Sequence, residues 1–201
     1  MTDAAMTEIH TEARVQPRDV YKSSGWWGVI FAIVTEGAVF AYLLFSYYYM
    51  AIEARADWPA AYPSLKLALP NTIILLFSSV TFWWADREFA AGRKPEALLN
   101  MVLTAILGSI FIAVQLAEWH SKTFSMSSGP YGALYFTITG FHMAHVVVGL
   151  IITFALIAWL AFGVIDDRRQ TGIPIGAAYW HFVDAVWLTV FFTFYITPHL
   201  I

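Results

Sequence analysis

Cysteine is absent from the 201 residues. That removes thiol nucleophiles, disulfides, iron–sulfur clusters and thiolate metal sites, and with them a binuclear copper centre, which needs cysteine thiolates. Charge is scarce as well. Asp, Glu, Lys and Arg make up 12% of the chain, about half of what a soluble domain carries. The formal net charge of −3 gives no basic field, so nucleic acid is not expected as a partner. Residues 1–23 are polar and mixed in charge, with no early apolar core. No cleavable signal peptide is expected, and targeting is expected to rest on the first apolar run. No internal repeat or low-complexity tract stands out, so the chain reads as one domain.

Apolar residues are what the chain has in excess. They form 59% of it, and aromatics alone 17%; the mean hydropathy is +0.63. A membrane helix needs about 20 mostly apolar residues. Five stretches qualify, over residues 25–50, 71–91, 98–120, 131–163 and 176–197. The expected fold is therefore all-α: a polytopic bundle of five transmembrane helices at 24–201, after a polar segment at 1–23. The connections carry the residues that break helices. Ala54 to Pro70 holds three prolines and reads as an interfacial loop. Asn71 and Thr72 are expected to cap the second helix. Gly92 and Pro95 read as a stop followed by a start, and Gly129–Pro130 precedes the fourth span.

Basic residues set the expected orientation. With the N-terminus in the cytoplasm, inside segments hold Arg14, Arg18, Lys22, Arg87, Arg93, Lys94, Arg168 and Arg169, and outside segments hold Arg55, Lys66 and Lys122. Eight against three is a positive-inside bias. The C-terminus is then expected on the periplasmic side. Trp26, Trp27, Trp83 and Trp84 fall at the cytoplasmic ends of the first two spans, where they fit as interfacial anchors or lipid headgroup contacts.

Ionisable residues at membrane depth are the candidate functional residues, because each is costly against lipid. Glu36 lies within the first span and must face a protein partner, be protonated, or both. His142 and His145 stand at i, i+3 on one face of the fourth helix. They could bind a metal or hydrogen-bond carboxylates on neighbouring helices. His181 and Asp184 repeat that spacing in the fifth span, where a His–Asp hydrogen bond is expected. Glu118 ends the third span near the outer surface, with a hydrated interface as the simplest reading. Gly140 and Gly149 permit close helix approach. Six histidines are too few for a histidine-box oxygenase, and no Glu-x-x-His pair of a di-iron bundle occurs.

Five segments carry a resemblance. They are AIVTEGAVFAYLLFSYYY at 32–49, LPNTIILLFSSVTFWWA at 69–85, VQLAEWHSKTFSMSSGPYGALYFTITGFH at 114–142, GFHMAHVVVG at 140–149 and YWHFVDAVWLTVFFTFYI at 179–196. In this order they resemble subunit III of the haem-copper terminal oxidases, cytochrome c or quinol oxidases, in its five-helix form. Longer members of that family carry further spans that form one wall of a lipid-holding cleft, a wall not expected from this chain.

The resemblance implies a non-redox accessory subunit with no active site of its own. It implies a buried polar network of Glu36, Glu118, His142, His145, His181 and Asp184, and lipid headgroup contacts at Trp83, Trp84, Arg168 and Arg169. No cofactor is expected in the chain itself. Haem and copper are expected in partner subunits, catalytic subunit I, subunit II and smaller chains, with bound phospholipid alongside. The implied role is to stabilise the catalytic subunit, hold lipids and support proton uptake, in a bacterial cytoplasmic membrane. The alternatives are a subunit-III-like protein accompanying a nitric oxide reductase, a free-standing membrane metalloenzyme and a proton-coupled transporter. The sequence does not name the electron donor.

Overall fold

The computed structural model describes residues 23–54, 58, 64–165 and 171–199. Arg14, Arg18, Lys22, Arg55, Arg168 and Arg169 lie outside the described residues. Five helices run in chain order: α1 Ser24–Ala54, α2 Leu65–Ala90, α3 Lys94–Ser121, α4 Pro130–Ala161 and α5 Gly172–Phe191. A π-helical turn, Phe192–Ile196, prolongs α5, and a 3-10 turn follows at Thr197–His199. No strand occurs among the described residues. Each of the five is long and apolar enough to cross a membrane, α5 together with its π turn. In hydrocarbon a backbone must satisfy its own hydrogen bonds, and a helix does so within one segment. The chain is an integral membrane protein of five transmembrane helices.

Two helix starts depart from the sequence expectation. α2 begins at Leu65 rather than Asn71, and Pro70 lies inside it. Its cap is Ser64, whose side chain accepts from the Lys66 N–H at 3.3 Å. Pro70 deprives only the carbonyl of Lys66 of a backbone partner, and Lys66 is exposed near the helix end. Asn71 and Thr72 do not cap; both are buried. α5 likewise starts at Gly172 and takes Pro174 into its first turn. The expected breaks hold elsewhere. Gly92 at φ 80° ends the α2–α3 hairpin turn, where Arg93 pairs with Glu88. Gly129 at φ 112° leads into Pro130 at the start of α4.

α5 occupies the centre, packed against α1, α2 and α4, while α3 bridges α2 and α4. Its two tryptophans, Trp180 and Trp187, are each 1% exposed. Their indole N–H groups donate to Ser78 Oγ and Thr72 Oγ1 of α2, each at 3.0 Å. Asn71 donates to the Phe111 carbonyl at 3.2 Å, and the hydroxyls of Thr81 and Thr104 lie 2.7 Å apart. Polar atoms thus fasten α2 to α3 and α5. Small residues admit the large rings between them. A Cβ on Gly108 would come within 2.7 Å of the Trp180 ring, and one on Gly149 within 2.9 Å. Gly140, also expected to permit close approach, is less crowded: its Cβ would meet Trp119 at 3.8 Å.

Substituting Gly108→Ala should therefore destabilise the fold by about 1–3 kcal/mol through overpacking against Trp180. Gly140→Ala should be neutral or stabilising, because its Cβ meets ordinary van der Waals space and alanine favours a helix. Thermal unfolding of the two variants in the same detergent checks the contrast.

Candidate functional site

The six ionisable residues singled out in the sequence do not form one network. They separate into three clusters, and each is set by which helices meet there.

The cluster where the end of α3 meets the start of α4 is the most developed. Glu118, near the end of α3, is 2% exposed rather than hydrated. Its Oε1 accepts from Lys122 Nζ at 2.7 Å, Tyr195 OH at 2.6 Å and Tyr135 OH at 3.4 Å. The two phenol oxygens lie 3.0 Å apart. The Lys122 ammonium also sits over both tyrosine rings, 5.1 and 5.6 Å from their centroids, a favourable placement for a desolvated cation. Helical i, i+4 spacing brings Lys122 to Glu118. The π turn brings Tyr195: Thr193, Phe194 and Tyr195 are three consecutive buried residues, which the wider turn allows. Around them Tyr47, Trp58, Phe124, Tyr131 and Phe194 meet ring to ring. Sequence reasoning missed Lys122, Tyr135 and Tyr195. Both tyrosines lie near the ends of their spans, where interfacial rings belong, so nothing in the sequence set them apart.

The second cluster joins α1 to α4. His145 Nε2 lies 3.2 Å from Glu36 Oε2, and its Nδ1 lies 2.7 Å from the Phe141 carbonyl. Phe40 packs edge-on against the same imidazole, with centroids 5.1 Å apart. The Glu36 side chain is not buried within the chain, being 42% exposed. His142, one turn away, turns elsewhere. It is 1% exposed and places Nε2 at 3.2 Å from the Val183 carbonyl of α5, between Phe111 and Trp187. The two histidines share a helix but not a partner. Among the described residues no three His, Cys, Asp or Glu side chains come together as metal ligands would.

The third cluster joins α2 to α5 and overturns an expectation. His181 does not bond Asp184. Its Nδ1 lies 2.6 Å from Ser79 Oγ of α2. Neither carboxyl oxygen of Asp184 has a hydrogen-bond partner among the described residues, although the side chain is buried. Residues three apart on a helix share a face, but α2 lies against that face and its hydroxyl takes the imidazole. Trp83 and Trp84 are exposed near the end of α2, and the Arg87 guanidinium stacks over Trp83 at 4.7 Å.

The buried Glu118–Lys122 pair predicts an asymmetry. Glu118→Gln leaves the ammonium uncompensated in a largely dry site and should cost about 3–5 kcal/mol. The double variant Glu118→Gln with Lys122→Met should recover a substantial part of that loss. Chemical or thermal unfolding of the two variants measures the difference.

A model of the family described as cytochrome c oxidase subunit III matches residues 5–198. Curated relatives named cytochrome c oxidase subunit 3 align over most of the chain. That of Heterololigo bleekeri is 33% identical over 176 residues, covering 84% of this chain and 68% of the relative. That of Struthio camelus is 33% identical over 178 residues, with the same coverage. That of Loxodonta africana is 34% identical over 187 residues, covering 88% and 70%. Matches of this length, on a bundle of five membrane-spanning helices whose paired carboxylates and histidines come from the segments read as family motifs, make the chain a member of the cytochrome c oxidase subunit III family, the accessory subunits of haem-copper oxidases.

Proposed function

We propose that this chain supports catalysis without performing it: it packs beside the catalytic subunit I of the oxidase, braces it within the membrane and assists its proton uptake, while haem and copper reside in partner subunits. The observation that carries this reading is how the ionisable groups are engaged. Glu118 is taken by Lys122 and two tyrosines, His145 by Glu36, His142 by a backbone carbonyl and His181 by Ser79. Donor atoms committed to separate helix contacts hold the scaffold rigid and do not converge on one point, as a redox metal's ligands must. A second membrane chain is also needed to cover this one. Glu36 presents a half-exposed carboxylate at a depth where lipid cannot solvate it.

The same reading includes bound phospholipid. A groove of about 410 Å³ between α3 and α4 is lined by Ala105, Ser109, Ala113, Phe154 and Ile157. The Ser109 hydroxyl is spent on the Ala105 carbonyl at 2.7 Å, so the groove asks only for hydrocarbon. Separately, near the end of α2, Trp83, Trp84 and Arg87 form an exposed aromatic and cationic patch suited to a headgroup. The same reading assigns headgroup contacts to Arg168 and Arg169. Together with the eight-to-three distribution of basic residues, that patch favours a cytoplasmic N-terminus in a bacterial cytoplasmic membrane.

Purification through a tag on this chain in a mild detergent tests the assignment. Subunits I and II and an optical haem spectrum should co-purify. Stripping this chain away should leave the haem spectrum in place and shorten the period of sustained oxygen reduction. A stoichiometric metal on the isolated chain, lost on joint His142→Ala and His145→Ala substitution, would overturn the reading.

A further inference from the structure

α5 touches all four other helices and is nonetheless open along one strip. His181 is half-buried, and Ala185, Leu188, Thr189 and Phe192 are exposed, a spacing that traces one face of a helix. α2 borders the strip through Ser79. α1 borders it through Gly37, beside Phe182, and through Tyr48, whose hydroxyl lies 3.2 Å from Thr193 Oγ1.

The strip is apolar except at one level. Thr189 spends its hydroxyl on the Val186 carbonyl at 2.7 Å. His181 spends Nδ1 on Ser79, which leaves Nε2, on a side chain that is only half-buried, with no hydrogen-bond partner among the described residues. That nitrogen therefore opens outward, at the depth of the hydrocarbon. Lipid tails have nothing to give it, and an unmet hydrogen-bonding group there is costly. Glu36 at the α1–α4 seam also opens outward, but one of its carboxyl oxygens is met by His145. Ala185 and Thr189 keep the strip shallow below His181, which lets another backbone approach closely.

We propose that this strip, framed by α1 and α2, seats a transmembrane helix of another oxidase subunit, and that this helix presents one hydrogen-bonding side chain to His181 Nε2. The proposal rests on the reading of the chain as a subunit of the oxidase complex and names the face by which it joins. The occupant is a helix rather than lipid because the strip combines a shallow floor with a single polar demand. A lipid carries its polar atoms at the membrane surface, away from that level. A second copy of this chain fits less well, since with Nδ1 engaged by Ser79 in the same way in both copies, two facing strips would set donor against donor or acceptor against acceptor at Nε2.

The lack of cysteine makes the test clean, because one introduced thiol is the only one in the chain. Leu188→Cys carrying a benzophenone maleimide, illuminated in the intact complex, should yield an adduct with another oxidase subunit. The same label at Ile151→Cys, on the exposed side of α4, provides the comparison. His181→Leu should lower several-fold the amount of partner retained through detergent washing, and His181→Gln should restore much of it. An adduct at position 188 with lipid alone, or with a second copy of this chain, overturns the proposal, as does partner retention unchanged by His181→Leu. If no oxidase subunit co-purifies at all, the functional reading itself fails. Co-purification with lipid-only labelling at 188 defeats the docking face and leaves that reading standing.

Discussion

Hydrocarbon offers no hydrogen bonds, and the bundle is arranged around that fact. The two central tryptophans show how far the constraint reaches. Each brings an indole N–H into a site with no water, and each needs an acceptor. Ser78 and Thr72, two helical turns apart on α2, supply them. Those two bonds set the rotation and the height of α5 relative to α2 together. Once α5 is so placed, the Trp180 ring reaches over to α3 and α4, and only Gly108 and Gly149 leave room for it. A requirement that begins with two polar hydrogens thus decides where four helices can approach one another.

The ionisable residues answer the same requirement in different ways, and the differences bear on what the subunit can do. Glu118 and Lys122 neutralise each other and are wrapped in aromatic rings at the end of the bundle where α3 passes into α4. A pair of that kind is rigid, because breaking it exposes a charge to a site that cannot solvate it. Glu36 and His145 form a looser pair at the α1–α4 seam, with the carboxylate half open. Asp184 is buried with no well-formed hydrogen bond among the described residues, the Ser79 hydroxyl lying close by. The bundle is therefore locked at the Glu118 end and more accommodating at mid-depth, where His181 and Glu36 meet the surroundings. An accessory subunit benefits from that division, since one end holds shape while the middle remains available to neighbours.

The five spans and most of their breaks were legible in the sequence, because hydropathy and glycine or proline punctuation are local signals. Pro70 was misread for an instructive reason. Proline forbids one backbone bond, and in the interior of a helix that is expensive. Here the carbonyl it orphans belongs to Lys66, near the helix start and exposed, so the helix could begin earlier and absorb it. Side-chain pairing was much less legible. An i, i+3 spacing says that two residues share a face, not what lies against that face. His142 and His145 share a face and diverge, one to the Val183 carbonyl and one to Glu36. His181 and Asp184 share a face, and Ser79 intervenes. Tyr195 depended on a π turn, a change of helical pitch that no periodicity in the sequence announces.

The weakest attachment in the bundle lies at its edge. α1 is among the longest helices, yet only Phe40 and Tyr47 are buried along it. Apolar contact of that extent contributes little inside a membrane, where lipid tails replace any side chain at nearly equal free energy. Specific contacts must then fix the position of α1. Phe40 stands against His145, Glu36 meets the same imidazole, and Tyr47 closes the aromatic cluster around Tyr131 and Phe194. Tyr48 reaches Thr193 and Thr197 beyond it. Phe31, Tyr42 and Phe45 meanwhile remain open on the opposite side. A helix pinned at two depths and bare elsewhere is held by the bundle in register but not enclosed by it. Its enclosure has to come from lipid and neighbouring chains, so the place of α1 belongs to the assembled complex as much as to this chain.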